Sequence, residues 1–470
     1  MLEALSSGDI VGSRFTDLYP SVWSLWATES WWGTWSNEWF NHPTGQPWSP
    51  STLIWGTLVI PFKGLVPIHT LYNTSLLFNR ILGCVAFYMA GKSFGKNHHS
   101  GLFWMVTIAM NPLIHGFAVE GIFEGTQIWP LGLWIWAVQT HKYRMATLFG
   151  SVVLLSNWYW SLCWAILGLG LGLKEHRCPI WKSMLFSILL CSPWIWHFVQ
   201  LEGSIDPISS ELYRSMGFQF GIPIPNAMTA VNPFAQSNYI GWIVGGVYLY
   251  SIFRKQHRLS IFMVSMGFTL SLGLPLLQEF PIVGSMRFPY RLHLLTLIGL
   301  CMGYSIVHIK QYKLFVLGIL IESTMLSAID LNIPKSPSTV PEYVHQIDGT
   351  VLELPGPLRR LPGDINPSKP RMRYIQYYQT THEKPSGWGL DFNGMVTGND
   401  CFLGTSIVDP YSTEQEKTTP LDERCWKEID WVVLHTKNNA LDEWLLMNQF
   451  QQLSTTVPVV WQKVHNTHSK

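Results

Sequence analysis

Carboxylates and guanidinium groups collect in three short polar stretches of an otherwise apolar chain. The first is "GDIVGSRFTDLYP", with Asp9, Arg14 and Asp17; the second is "NPLIHGFAVEGIFEGTQIWPL", with His115, Glu120, Glu124 and Gln127. The third is "EFPIVGSMRFPYRLH", with Glu279, Arg287, Arg291 and His293. Such side chains exchange protons and hold anions, and ionisable groups near a bilayer are costly enough to mark function. Each also has a plain structural reading. Asp17, just before "LYPSVW", suits the cap of a short interfacial helix. Glu120 and Glu124, four residues apart, would share one helix face as solvated acids. Arg287 and Arg291 suit snorkelling anchors at lipid headgroups, and His115 beside Pro112 suits a satisfied structural histidine. The aromatic run "SLWATESWWGTWSNEWF" reads as an interfacial belt, or otherwise as the wall of a sugar site.

The elements that must position these groups are membrane helices. The 470 residues are 47% hydrophobic and 13% charged, against about 25% charged in a typical soluble domain. A net charge of +1 gives no sign of nucleic-acid binding, which needs a basic patch. Ten apolar runs approach spanning length: 68–91, 101–118, 126–140, 144–159, 160–174, 181–200, 238–253, 259–278, 290–308 and 313–330. The division within 144–174 is open.

Alternate connections, "GKSFGKNHH", "THKYR", "KEHRCPIWK", "FRKQHR" and "HIKQYK", hold twelve Lys or Arg and one acid, Glu175. The positive-inside rule places them in the cytoplasm. All three polar stretches then lie on the outer face. The expected organisation is a first outer loop with interfacial helices over 1–67, a multi-spanning region over 68–330, and a small extracytoplasmic α/β or β-rich domain over 331–470. In that last region "TVLELP", "RYIQYYQ" and "DWVVLHT" read as short β-type runs between turn signals. An outer first loop needs something to carry it across; "MLEALSSGDIVGSRF" is neither signal peptide nor span, so a preceding helix is expected, the alternative being that the 51–66 run crosses. Cys401 and Cys425 are the only cysteines of the C-terminal region and form a disulfide candidate, with two free thiols as the alternative.

The ordered set "TDLYPSVW", "NHPTGQPWSPSTL", "LYNTSLLFNRILG", "VEGIFEGTQIWPLGL", "MRFPYRLHLL", "VLELPGP" and "YYQTTHEKPSGWG" resembles the GT-C fold membrane glycosyltransferases, including YfhO-like and dolichyl-phosphate-mannose-type relatives. The resemblance covers nearly the whole chain. It implies a polytopic α-helical membrane protein of about ten or eleven spans that moves a sugar from a polyprenyl-phosphate donor to an extracytoplasmic acceptor with inversion. Asp17 takes the place of the family's first-loop acid at the reaction centre, Arg287 and secondarily Arg291 that of the donor-phosphate ligands, and Glu120 or Glu124 that of a second acid. A base takes the acceptor's hydroxyl proton, and a guanidinium stabilises the departing phosphate. No Cys/His cluster has metal spacing, so no metal or other cofactor is called for, although a divalent ion is compatible with such a site.

Two other function classes compete. A transporter or lipid flippase would need ionisable groups deep in spans, and Glu322 in "LGILIESTML" is the clearest. A non-catalytic envelope assembly protein would use exposed residues of the C-terminal region, such as Gln379, His382 and Trp388.

Overall fold

The computed structural model describes residues 8–13, 18–31, 53–175, 178–202, 258–274, 289–306, 335–354, 374–385, 429–435, 439–454 and 458–464, with short pieces at 36–37, 46–47, 244–246, 249, 316–319, 321, 388–390, 396–398 and 427. A two-residue strand β1, Ile10–Val11, precedes helix α1, Leu18–Ala27. Helix α2, Leu53–Val59, runs on as a tighter turn, Ile60–Phe62. Then follow α3, Ile68–Gly95; α4, His98–Trp104; α5, Pro112–Val119; α6, Trp129–Gln139; α7, Tyr143–Ser156; α8, Trp158–Glu175; and α9, Cys178–Glu202. Helices α10, Arg258–Ser271, and α11, His293–Ile306, belong to the same bundle.

Asparagine and proline set the breaks. Asn97 begins α4 by accepting the Ser100 N–H at 2.8 Å, and Asn111 begins α5 by accepting the Leu113 N–H at 2.9 Å with Pro112 behind it. The break at residues 110–112, just after a π-turn at Met105–Ala109, bends His98–Ala109 by 43° from Leu113–Val119. The open division of 144–174 falls at Asn157, whose side chain accepts the Tyr159 N–H at 2.8 Å.

Two helices, Ile68–Gly95 and Cys178–His197, are each long and apolar enough to cross a membrane, and the bent pair makes a third if it acts as one span. The shorter apolar helices Tyr143–Ser156, Trp158–Leu173 and Arg258–Ser271 occupy other predicted spans. Of the predicted 238–253 and 313–330 runs only fragments are described, so the ten-span topology is not carried by helix length. Leu53–Phe62, in the run considered as an alternative crossing, is likewise a short apolar helix.

The bundle core is aromatic. Trp104, Trp134, Trp160 and Trp164 are buried in one cluster with Phe103 and Phe117. Helices α10 and α11 approach closely where Gly267 faces Thr296 and Gly299 faces Val264. Between α2, α3 and α6, the Asn79 side chain accepts from the indoles of Trp55 at 2.6 Å and Trp129 at 3.1 Å and donates to Thr126 at 3.2 Å.

In the C-terminal region β2, Lys335–Ser336, pairs antiparallel with β1. Strands β3, Val351–Leu354, β4, Trp431–Leu434, β5, Phe450–Gln452, and β6, Val459–Lys463, form a sheet in the order β3-β4-β6-β5, with β3 and β4 parallel. Glu353 and His435 join these two parallel strands through a buried 2.8 Å contact. Burial raises the Glu353 carboxyl above its ordinary pKa, against the pull of His435.

Two expected strands, "TVLELP" and "DWVVLHT", are strands, but "RYIQYYQ" is not. It forms helix α12, Tyr374–His382. Docking explains the difference: Tyr377 sets its ring 5.4 Å from Tyr19, and Gln379 accepts the Trp23 indole N–H at 2.8 Å, so contacts with α1 override the β-preference of the tyrosines.

Replacing Asn79 by Leu strands two indole donors, that of buried Trp55 and that of half-buried Trp129. The expected loss is about 1–3 kcal/mol per orphaned group, read as a lower thermal midpoint of the purified Asn79→Leu chain in detergent.

Candidate functional site

Helix α5 ends in a turn that the next residues must close. Gly121, at φ 68°, lets the Ile122 N–H reach the Phe117 carbonyl at 2.8 Å and the Gly121 N–H reach Ala118 at 3.4 Å, a paired closure typical of a left-handed glycine stop. Glu120 is the last residue before that glycine. Glu124 lies beyond it, in a tighter turn at Phe123–Thr126. The two acids therefore do not share one helix face, because the chain reverses between them.

Arg291, in the turn Pro289–Leu292 ahead of α11, reaches this reversal. Its Nη1 lies 3.2 Å from Glu124 Oε1, and its guanidinium sits over the rings of Phe117 at 5.4 Å and Tyr159 at 4.9 Å. Only 4% of the side chain is exposed, so it is a buried ion-paired cation packed on aromatic faces and not a headgroup anchor. Glu120 is buried beside it; burial raises its carboxyl to a pKa of about 8, with the Arg291 charge opposing the shift. A carboxyl in that range holds its proton in a dry site and can give or take one near neutral pH.

The first loop docks on the same reversal. The Ser13 N–H donates to the Val119 carbonyl at 2.7 Å, and a Cβ at Gly121 would lie 2.5 Å from the Leu18 Cα. Asp17 and Arg14 fall between these two contacts in sequence and lie outside the described residues. Glycine at 121 thus answers two demands, a left-handed backbone and room for Leu18.

Of the residues singled out by type and spacing, Glu120, Glu124 and Arg291 come together. Gln127 is buried next to them in sequence, with neither amide atom hydrogen-bonded, and His115 Nε2 is buried without a hydrogen bond on α5. His382 lies in α12, where its Nδ1 accepts the Lys384 N–H at 3.0 Å. Burial, aided by Lys384, lowers its pKa to about 3, so it remains neutral. Arg287, Glu279, Cys401, Cys425 and Glu322 lie outside the described residues. Sequence reasoning did not pick out Tyr159 and Tyr290, whose hydroxyls face Arg291, or Asn73, an amide inside an apolar helix. Among the described residues no group of three His, Cys, Asp or Glu side chains comes together.

No family model matches the chain, and no curated protein is significantly similar to it. Among solved structures it is similar to a crystal structure of the Archaeoglobus fulgidus oligosaccharyltransferase tethered with an acceptor peptide containing the NVT sequon via a disulfide bond. The TM-score is 0.48 and the identity 10%, over 97% of this chain and 70% of that one.

Two outcomes test the site. Gly121→Ala should lower stability by about 1–2 kcal/mol from backbone conformation alone, with a further loss from collision with Leu18, visible as a reduced thermal midpoint. Glu120 contributes stability below its unfolded pKa, near 4.5, and that contribution disappears as pH rises through about 8. The unfolding free energy should therefore fall between about pH 5 and pH 8, by up to ~1.4 kcal/mol per pH unit, and the thermal midpoint with it; the slope should flatten in Glu120→Gln.

Proposed function

We propose that the chain is an integral membrane glycosyltransferase that moves a sugar from a polyprenyl-phosphate donor to an acceptor outside the cytoplasm, with inversion at the anomeric carbon. One observation carries the reading: a buried carboxyl, Glu120, beside a buried guanidinium, Arg291, at the turn where the first loop docks. Proton removal from an acceptor hydroxyl and charge stabilisation on a leaving phosphate need these two groups at one place.

In this reading Asp17 or Glu120 takes the acceptor proton, Arg287 meets the departing phosphate, and Arg291 adds to its field while Glu124 holds the guanidinium in register. The protein would be multi-pass in a cell-envelope membrane, such as a bacterial inner membrane, with its C-terminal region extracytoplasmic and membrane lipid around the helices. The mechanism calls for no cofactor. The disulfide candidate Cys401–Cys425 would brace the C-terminal region.

A second reading, transport of a lipid-linked substrate, is favoured by Arg80 near the middle of Ile68–Gly95, whose Nη1 is buried without a hydrogen bond. Purified protein in nanodiscs, given a panel of polyprenyl-phosphate sugars and membrane acceptors, should release polyprenyl phosphate. Asp17→Asn and Glu120→Gln should each lower that rate by about 100-fold or more, within the range of a positioned acid–base group. Full activity in both variants would sink the assignment, and lipid flux without sugar release would favour transport.

A further inference from the structure

The first loop reaches the Glu120 turn as a strap, and one side chain of the bundle ties it down. Asn73, two turns into α3 and buried, accepts the Val11 N–H at 2.9 Å through Oδ1 and donates through Nδ2 to the Asp9 carbonyl at 2.8 Å. Both halves of its amide thus hold main-chain groups of the strap. One step further along, Ser13 meets Val119, and Gly12 lies against Gly121 and the Ala118 carbonyl. From above, Lys335–Ser336 pairs with Ile10–Val11, and the Ser336 hydroxyl donates to the Gly12 carbonyl at 2.8 Å.

We propose that Asn73 is the positioning residue of this site: by clamping residues 9–11 it sets the register in which the first loop, through Gly12, Ser13 and Leu18, lies on the Glu120 turn. The inference rests on reading that turn as the reaction site. A side-chain amide suits the task because it supplies one donor and one acceptor in a fixed plane, matching the N–H and C=O that an edge strand leaves open. Neither an aliphatic residue nor a carboxylate can do both.

The strap also shields the turn from water. Arg291 and Tyr290, from the turn before α11, face Glu120, while Tyr159 from α8 and Glu124 from the following loop face Arg291. Asp9 belongs to the strap itself. Freeing the strap changes none of these partners; it admits water, so Glu120 should titrate closer to an ordinary carboxylate.

The test compares Asn73→Leu, Asn73→Asp and Asn79→Leu with the unaltered protein in detergent or nanodiscs. Asn79 is on the same helix but does not touch the strap, so its variant reports general destabilisation. In Asn73→Leu, amide hydrogen exchange of a peptide covering 8–13 should rise at least tenfold, and the fall of the thermal midpoint between about pH 5 and 8 should shift to lower pH. Asn73→Asp, which keeps only the acceptor, should lie between. In the transfer assay kcat should fall with donor KM within about twofold. Unchanged exchange at 8–13 and an unchanged pH slope would overturn the proposal, as would the same changes in Asn79→Leu. Absent wild-type sugar transfer alongside the exchange and pH effects would refute the glycosyltransferase reading and leave the positioning role standing.

Discussion

The arrangement at the Glu120 turn depends on hiding a guanidinium. Arg291 is almost fully buried, and an uncompensated buried charge costs several kcal/mol. Its surroundings answer that cost in kind: a carboxylate on Nη1, two aromatic faces and a tyrosine hydroxyl. These partners come from α5, the loop after it and α8, so satisfying one cation fixes three segments relative to the start of α11. Glu120 then inherits its unusual acidity from the same dryness, since the water that would normally stabilise its ionised form has been excluded.

A second constraint is shared between distant parts of the chain. The strap at 8–13 lies between the bundle, through Asn73 and Val119, and the C-terminal segment 335–338. Tyr19 donates to the Pro337 carbonyl at 3.0 Å, and Tyr377 to the Ser338 carbonyl at the same distance. Trp23 reaches Gln379, which in turn donates to the Lys384 carbonyl. The described part of the first loop and the segments 335–338 and 374–384 are thus packed together beside the site.

How much of this the sequence discloses varies with the physics involved. Helix positions follow apolar run length, so α3 and α9 lie where hydrophobicity puts them. Asn157 and Asn111 place the breaks, because a capping side chain acts within two residues of itself. Glu120, Glu124 and Arg291 stand out because charges in apolar surroundings are conspicuous, yet their convergence is invisible until Gly121 reverses the chain. The amide of Asn73 carries no charge and sits in an apolar run, so nothing local sets it apart. Helix α12 shows the opposite failure: its tyrosines favour a strand locally, and only the surface of α1 makes a helix of them.

The pairing of Ile10–Val11 with Lys335–Ser336 has a consequence for the order of assembly. Hydrogen bonds that close this layer span 318 to 356 residues of sequence. Contacts of such separation form late, since long loops must close before they are rewarded. During synthesis the strap emerges before the helices of the bundle, and its covering strand after them. The pairing of strap and covering strand therefore closes after the bundle's helices have been made, and a chain stopped before residue 335 would leave the strap's upper edge open.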